Sequence, residues 1–259
     1  MKIAITGKGG VGKTTFASVL CRVFEAEGKN VLAVDADPDD NLALGLGFPQ
    51  EIIDKIVPIS AMKEFIKERT RTNAKGFGKM FKLNPEVEDI KEKYSYKFKR
   101  ISLLNMGTVD KGGNGCYCPE NVLLKKLTHH LILEDEDIMI MDMEAGIEHL
   151  GRGVAKGVDA FIVVIEPGIR SIQTYHKVKK MALDIGVEKV FIVANKIRSE
   201  MDIEYIMNNV SKNDILGNIY FGEKVIDSDR QNLSPYDLCK DTVNSVRAIK
   251  ENLTNLLLK

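Results

Sequence analysis

A glycine-rich octet near the start of the chain has the residue types and spacing to hold phosphate. Gly7-Lys8-Gly9-Gly10-Val11-Gly12-Lys13-Thr14 fits the pattern G-x-x-x-x-G-K-[ST]. Its glycines let backbone N–H groups, from Gly9 through Val11 and Gly12 to Thr15, curl round an anion without β-carbon clashes. The Lys13 ammonium would reach the β- and γ-phosphates of a nucleoside triphosphate, and the Thr14 hydroxyl would sit on its Mg²⁺. A helix beginning at Lys13 adds the positive potential of its N-terminus. The chemistry implied is binding of ATP, and of ADP after hydrolysis, with Mg²⁺.

Carboxylates suited to hydrolysis stand further along. Val34-Asp35-Ala36-Asp37-Pro38 closes one apolar run, and Asp142 closes another, Ile138-Met139-Ile140-Met141, just ahead of Ala145-Gly146. An aspartate at such a strand end can hold a Mg²⁺-bound water, and a second can orient the attacking water. Asp35 and Asp39 also have a plainer reading as turn caps. Asn195-Lys196 closes a further apolar run, with Arg198 where a guanine-reading N-K-x-D motif carries its aspartate. A carboxylate would accept from guanine's donor edge and an arginine cannot. The reading is therefore adenine, with Asn195 addressing the base.

Of the four cysteines, Cys21, Cys116, Cys118 and Cys239, only Cys116 and Cys118 are close in sequence. They lie in Gly112-Gly113-Asn114-Gly115-Cys116-Tyr117-Cys118-Pro119, a stretch whose glycines bend the chain and can turn both sulfurs to one side. Two thiolates half-fill a tetrahedral site. A two-fold axis would complete it, each protomer supplying a pair. Thiolates suit Zn²⁺, Cu⁺ or square-planar Ni²⁺. A redox-active pair, or two inert thiols beside a turn, would use the same residues. Cys21 and Cys239 fall on helical patterns and read as buried thiols. Met139, Met141 and Met143 alternate along a strand and read as packing residues. Glu144, Glu148 and His149 follow Asp142 closely enough to sense nucleotide state or touch metal, though a lone histidine is more often structural.

These groups need a scaffold that brings strand ends together. Apolar runs at 2–6, 31–35, 101–106, 138–142, 161–165, 190–194 and 215–219 read as strands, several apolar at nearly every position as strands buried on both faces are. Helical patterns occupy 13–27, 119–133 and 171–185, and a tail from 238 puts Val243, Val246, Ile249, Leu253, Leu256 and Leu257 on one stripe. The alternation predicts an α/β fold: a doubly wound, mostly parallel sheet with helices on both faces and ligands beyond the carboxyl ends of the strands. One domain spans 1–259, with the thiol loop at about 111–119. A charge-rich insertion at about 49–100 reads as a solvated excursion with one or two short helices.

Lysine plus arginine and aspartate plus glutamate each number 37, so the formal net charge is zero and no general nucleic-acid or membrane binder is indicated. The cysteine usage is not that of a secreted disulfide scaffold. The apolar run at 3–5 is too short for a signal peptide, and no run approaches the ~20 residues of a membrane span. The expectation is a cytoplasmic protein with reduced thiols.

The second lysine of the loop, Lys8 in Lys8-Gly9-Gly10-Val11-Gly12-Lys13-Thr14-Thr15, resembles the deviant Walker A of the MinD/ParA/nitrogenase-iron-protein superfamily. That resemblance implies a homodimer with ATP between two protomers and Lys8 reaching the partner's nucleotide. It also implies that Asp37 positions the attacking water, Asp142 serves Mg²⁺ and the Gly146 N–H meets the γ-phosphate. Lys111-Gly112-Gly113, Cys116-Tyr117-Cys118, the stretch from Met141-Asp142-Met143-Glu144-Ala145-Gly146 to Ile147-Glu148-His149-Leu150, and Val164-Ile165-Glu166-Pro167 further resemble the CooC family. CooC proteins and the related AcsF are ATPases that assist nickel insertion into carbon monoxide dehydrogenase or acetyl-CoA synthase. The resemblance runs from residue 1 to about 198 and weakens in the insertion and the C-terminal quarter. It implies a Ni²⁺ or Zn²⁺ site made by Cys116 and Cys118 at a dimer interface. Two other readings stand beside it. One is a MinD/ParA-type positioning ATPase, which leaves the thiols unexplained and lacks a basic tail. The other is a metal-sensing, partner-binding switch with negligible turnover.

Overall fold

The computed structural model describes residues 1–37, 39, 41–71, 82–107, 119–133, 138–144 and 157–258. The thiol loop, with Cys116 and Cys118, and the segment holding Gly146, Glu148 and His149 lie outside the described residues.

Among the described residues eight strands form one sheet: β1 (Lys2–Thr6), β2 (Val31–Ala36), β3 (Tyr96–Phe98), β4 (Ile101–Asn105), β5 (Ile138–Met143), β6 (Ala160–Ile165), β7 (Val190–Ile197) and β8 (Ile215–Tyr220). Their order is β3-β4-β2-β5-β1-β6-β7-β8. Every pairing is parallel except β3 with β4. The chain runs out one way from β1 through β2 to β4, returns to insert β5, then runs the other way through β6, β7 and β8. The reversal leaves a crevice above the carboxyl ends of β1, β2 and β5, where open α/β sheets take their ligands.

Both faces are covered, and residue alternation decides which core each side chain joins. Ile3, Ile5, Ile138, Ile140, Ile162 and Val164 face helix α1 (Lys13–Ala26) and the long C-terminal helix Lys240–Leu257. Ala4, Met139, Met141, Met143, Phe161 and Val163 face helices Pro119–Leu133 and Ile169–Ile185. The three methionines are thus packing residues. On the C-terminal helix Val243, Val246, Ile249 and Leu253 are buried as the stripe predicts, but at its end only Leu257 packs against the core, and Leu256, one position round the helix, is 37% exposed.

The insertion departs from expectation. Its described residues carry four short helical pieces, Gln50–Ile53, Ile59–Ala61, Lys63–Thr70 and Ile90–Tyr94, and end in the antiparallel edge strand β3. Ile59, Ile66, Val87 and Ile90 are buried in the methionine-side core, so this stretch is part of the fold and not a solvated excursion. Its charges cover the outside of a layer held by a few aliphatic anchors. Cys21 is buried in α1 as expected; Cys239 is buried too, but sits at the junction between helices Pro235–Leu238 and Lys240–Leu257.

Candidate functional site

The phosphate loop leaves β1 at Thr6 and enters α1 at Lys13. Gly12 caps the helix with φ +93°, a left-handed conformation, and a β-carbon there would come within 2.3 Å of the Asn195 amide nitrogen. Both facts require glycine at this position. The first helical hydrogen bond is Phe16 N–H to the Gly12 carbonyl, at 3.0 Å. The N–H groups of Gly12, Lys13, Thr14 and Thr15 precede it, and no acidic residue occupies the first turn. This is the arrangement an anion completes. Gly9 and Gly10 are exposed and Lys8 is half-buried, so this rim of the loop faces outward.

The carboxylates converge as the sheet register dictates. Asp142 on β5 pairs with Ile5 on β1 and with Asp35 on β2. It is fully buried, and neither carboxylate oxygen has a hydrogen bond of ordinary geometry to a described residue. Burial pushes its carboxyl up to about 6; the Thr14 hydroxyl and the Lys13 ammonium oppose the shift, and the Asp37 charge adds to it. An orphaned buried carboxylate beside a threonine hydroxyl suits a hard divalent cation, which would supply the missing charge and ligation. Thr14 and Asp142 therefore fit Mg²⁺.

Asp37 lies just past β2 with its Oδ2 3.3 Å from Lys13 Nζ, both side chains under one-tenth exposed. Its Oδ1 accepts the Asp39 N–H at 3.2 Å. Asp35 accepts the Asp37 N–H at 3.2 Å and, on its other oxygen, the Leu42 N–H at 3.1 Å. The turn-capping reading of Asp35 is the one its contacts support: it folds the loop that presents Asp37. On the other side, the Thr6 hydroxyl donates to the Glu144 carbonyl at 3.1 Å, tying the start of the phosphate loop to the exit of β5.

Asn195 and Lys196 approach the loop from β7. The Asn195 side-chain amide donates to the Val11 carbonyl at 2.8 Å, and its oxygen accepts the Lys196 N–H at 2.9 Å. Lys196 Nζ donates to the Gly10 carbonyl at 2.5 Å and lies 3.5 Å from Glu166 Oε2. Sequence reading singled out Asn195 for the base and gave Lys196 no task; the loop contacts of both are new. Asn-Lys closing a buried strand was the available signal. Arg198 stacks its guanidinium over the Phe221 ring, 4.9 Å from the centroid.

A cavity of about 660 Å³ opens at the opposite end of the strands, lined by Met1, Ile138, Val158, Asp159 and Leu257 among others. Met1, Ile138, Val158 and Asp159 stand at or before the starts of β1, β5 and β6, and Leu257 ends the C-terminal helix, so this cavity lies a sheet's length from the carboxylates and is not the site.

Residues 2–236 match the CobQ/CobB/MinD/ParA nucleotide binding domain family. The chain belongs to that family. Carbon monoxide dehydrogenase accessory protein CooC of Rhodospirillum rubrum is 43% identical over 251 residues, 96% of this chain and 95% of that protein. An uncharacterized ATP-binding protein of Methanocaldococcus jannaschii is 45% identical over 232 residues, 88% of each. Among solved structures, a putative plasmid partition protein from Borrelia burgdorferi B31 bound to AMPPNP superposes with a TM-score of 0.68 over 98% of both chains, at 15% identity, a likeness of fold. The CooC resemblance therefore extends through the C-terminal quarter, where the sequence motifs are weakest. The family match spans the loop, the Thr14 hydroxyl, and the carboxylates Asp37 and Asp142.

Proposed function

We propose that this chain is an ATP-hydrolysing maturation factor that assists nickel insertion into carbon monoxide dehydrogenase or acetyl-CoA synthase, acting as a homodimer. The observation that carries the reading is the end-to-end likeness to the CooC accessory protein, at 43% identity over 96% of the chain. The Cys116/Cys118 pair supports it: two thiolates from each protomer make a four-sulfur site on a two-fold axis, with Ni²⁺ or Zn²⁺ as cargo.

In this proposal the N–H groups from Gly9 to Thr15 receive the phosphates, and Lys13 leaves Asp37 for the β- and γ-phosphates. That exchange frees the Asp37 carboxylate to orient the attacking water. Thr14 and Asp142 hold Mg²⁺, whose role is to neutralise phosphate charge. The Gly146 N–H meets the γ-phosphate, Lys8 crosses to the partner's nucleotide, and Asn195 addresses adenine with its remaining N–H. Closure of the dimer moves the thiol loops through helix Pro119–Leu133, which joins them to β5.

Nickel and zinc binding, measured with and without a non-hydrolysable ATP analogue, tests this reading. About one ion per dimer is expected, as four thiolates complete one tetrahedral site, with loss in Cys116→Ser/Cys118→Ser. Wild-type protein that binds neither ion specifically would refute the cargo role and leave only a nucleotide-gated dimer.

A further inference from the structure

The carboxyl end of β7 is irregular at one place, and the irregularity points at the phosphate loop. Ala194 pairs with Asn218 and Ile197 with Tyr220, so three steps along β7 are matched by two along β8. The extra residue is a bulge, and Lys196 within it has φ +58°, left-handed backbone that a lysine rarely adopts. A bulge of this kind re-aims side chains. Here it sends two neighbouring side chains the same way: Asn195 to the Val11 carbonyl and Lys196 to the Gly10 carbonyl, at 2.8 and 2.5 Å. Glu166, just beyond β6, pairs with the same ammonium at 3.5 Å.

The consequence follows from peptide geometry. In a planar trans peptide the N–H points opposite to the carbonyl it is bonded to. Drawing the Gly10 and Val11 carbonyls toward β7 turns the Val11 and Gly12 N–H groups into the concave side of the loop. The Val11 N–H accordingly faces the Lys8 carbonyl across the loop, at a long 3.4 Å. A loop with glycine at four of its first six positions has many conformations to lose when phosphate binds. Fixing two adjacent carbonyls beforehand removes part of that loss.

We propose that Lys196 is a positioning residue for nucleotide binding: anchored by Glu166 on the β7 bulge, it pre-sets the phosphate loop through the Gly10 carbonyl. This rests on the nucleotide reading above and adds the device that sets affinity. Because the tether acts on the loop and not on Asp37 or Asp142, it governs KM and leaves kcat alone.

Binding of an ATP analogue and steady-state hydrolysis should be measured on the full chain for wild type, Lys196→Met, Lys196→Arg, Lys196→Gly and Glu166→Gln. Lys196→Met should raise Kd and KM about tenfold, as loss of one charge-assisted hydrogen bond at a partly exposed position would, with kcat kept within about twofold. Arginine retains a donor and a charge and should recover most of the affinity. Glycine relaxes the left-handed backbone, so Lys196→Gly should bind as weakly as Lys196→Met while melting no lower than wild type. Glu166→Gln should weaken binding less, with little further effect once Lys196 is methionine. If wild type binds and Lys196→Met binds equally well, or if kcat falls with affinity, or if Lys196→Gly binds normally, the positioning role is wrong. Wild type that fails to bind would instead remove the nucleotide reading itself, and this role with it.

Discussion

At the scale of single residues, Asp142 carries the sharpest consequence. Its carboxyl is raised from 3.8 to about 6, chiefly by burial. The folded chain therefore holds this proton more tightly than the unfolded chain. The group favours folding below pH 3.8, and that contribution is lost as pH rises through 6. At neutral pH the nucleotide-free protein bears a buried charge with an energetic cost of up to about 3 kcal/mol. Asp142→Asn removes the charge, so urea midpoints of the nucleotide-free variant should exceed those of wild type near pH 7.5. The gap should narrow steadily toward pH 4.5, and Mg²⁺ with an ATP analogue should stabilise wild type more than the variant. A gap that stays constant with pH would show that Asp142 is not carrying a raised pKa. Asp37→Asn makes a different prediction. Turnover should fall roughly a hundredfold, as for loss of a water-orienting base, while ATP affinity holds or improves, because Lys13 no longer has a carboxylate to leave. Affinity falling in step with turnover would contradict the exchange. Much of this site was legible in the sequence, since the loop motif fixes residue order and strand-end aspartates announce themselves. The capping role of Asp35 and the loop contacts of Asn195 and Lys196 were not. They depend on which strands lie near one another: β7 stands two strands from β1, with β6 between, close enough for its end to reach the loop.

At the scale of elements, the strands were readable because burial on both faces leaves nearly unbroken apolar runs, as in β5 and β6. Edge strand β3 and two surface helices are among the elements missed, for the opposite reason. Edge strand β3 is three residues long and only half-buried. Helices Glu200–Asn209 and Glu223–Arg230 each bury one residue, Ile206 and Ser228, too little to print a stripe. The insertion misled because its anchors are sparse among charges, yet those anchors hold the exit of β4. The Ser60 N–H donates to the Met106 carbonyl at 3.1 Å, and Gly107 follows with φ +61°. A β-carbon on Gly107 would lie 2.2 Å from Ser60 Oγ and 2.7 Å from Pro58 Cβ. Gly107→Ala should therefore destabilise the fold by at least about 1–2 kcal/mol, the cost of a left-handed non-glycine residue, with the close contacts adding to it. Chemical denaturation would measure this. Pairing the change with Ser60→Gly should restore only part, since Pro58 stays in the way. Nucleotide affinity should not change, because β2 and β5 stand between this corner and β1. A stability-neutral Gly107→Ala would mean that the insertion does not clamp the chain ahead of the thiol loop.

At the scale of the whole molecule, the buried and exposed halves of the site are unequal. Asp142, Asp37 and Lys13 lie inside, while Gly9 and Gly10 are exposed and Lys8 is half-buried at the rim. A protomer alone thus presents the carboxylates proposed for hydrolysis from below and leaves the outer side of the loop to solvent, the side that a second copy would cover in the proposed dimer. Mg²⁺ with a non-hydrolysable ATP analogue should shift wild type from monomer to dimer by light scattering. Lys8→Ala should bind the analogue with near wild-type affinity yet remain monomeric, because the contact it loses lies between protomers. If the thiol site straddles the same axis, metal and nucleotide both favour the closed dimer and must be coupled. Linkage requires the factor by which nucleotide tightens metal binding to equal the factor by which metal tightens nucleotide binding. A coupling free energy of about 1–3 kcal/mol is typical, or about 5- to 150-fold. Two titrations on one preparation, each ligand in the presence and absence of the other, measure both factors. Equal factors well above unity that fall to one in Lys8→Ala would place metal and nucleotide on a single dimer equilibrium. Factors of one in wild type would mean that the thiol loops do not respond to closure, and that any metal they hold is bound independently of the ATP cycle.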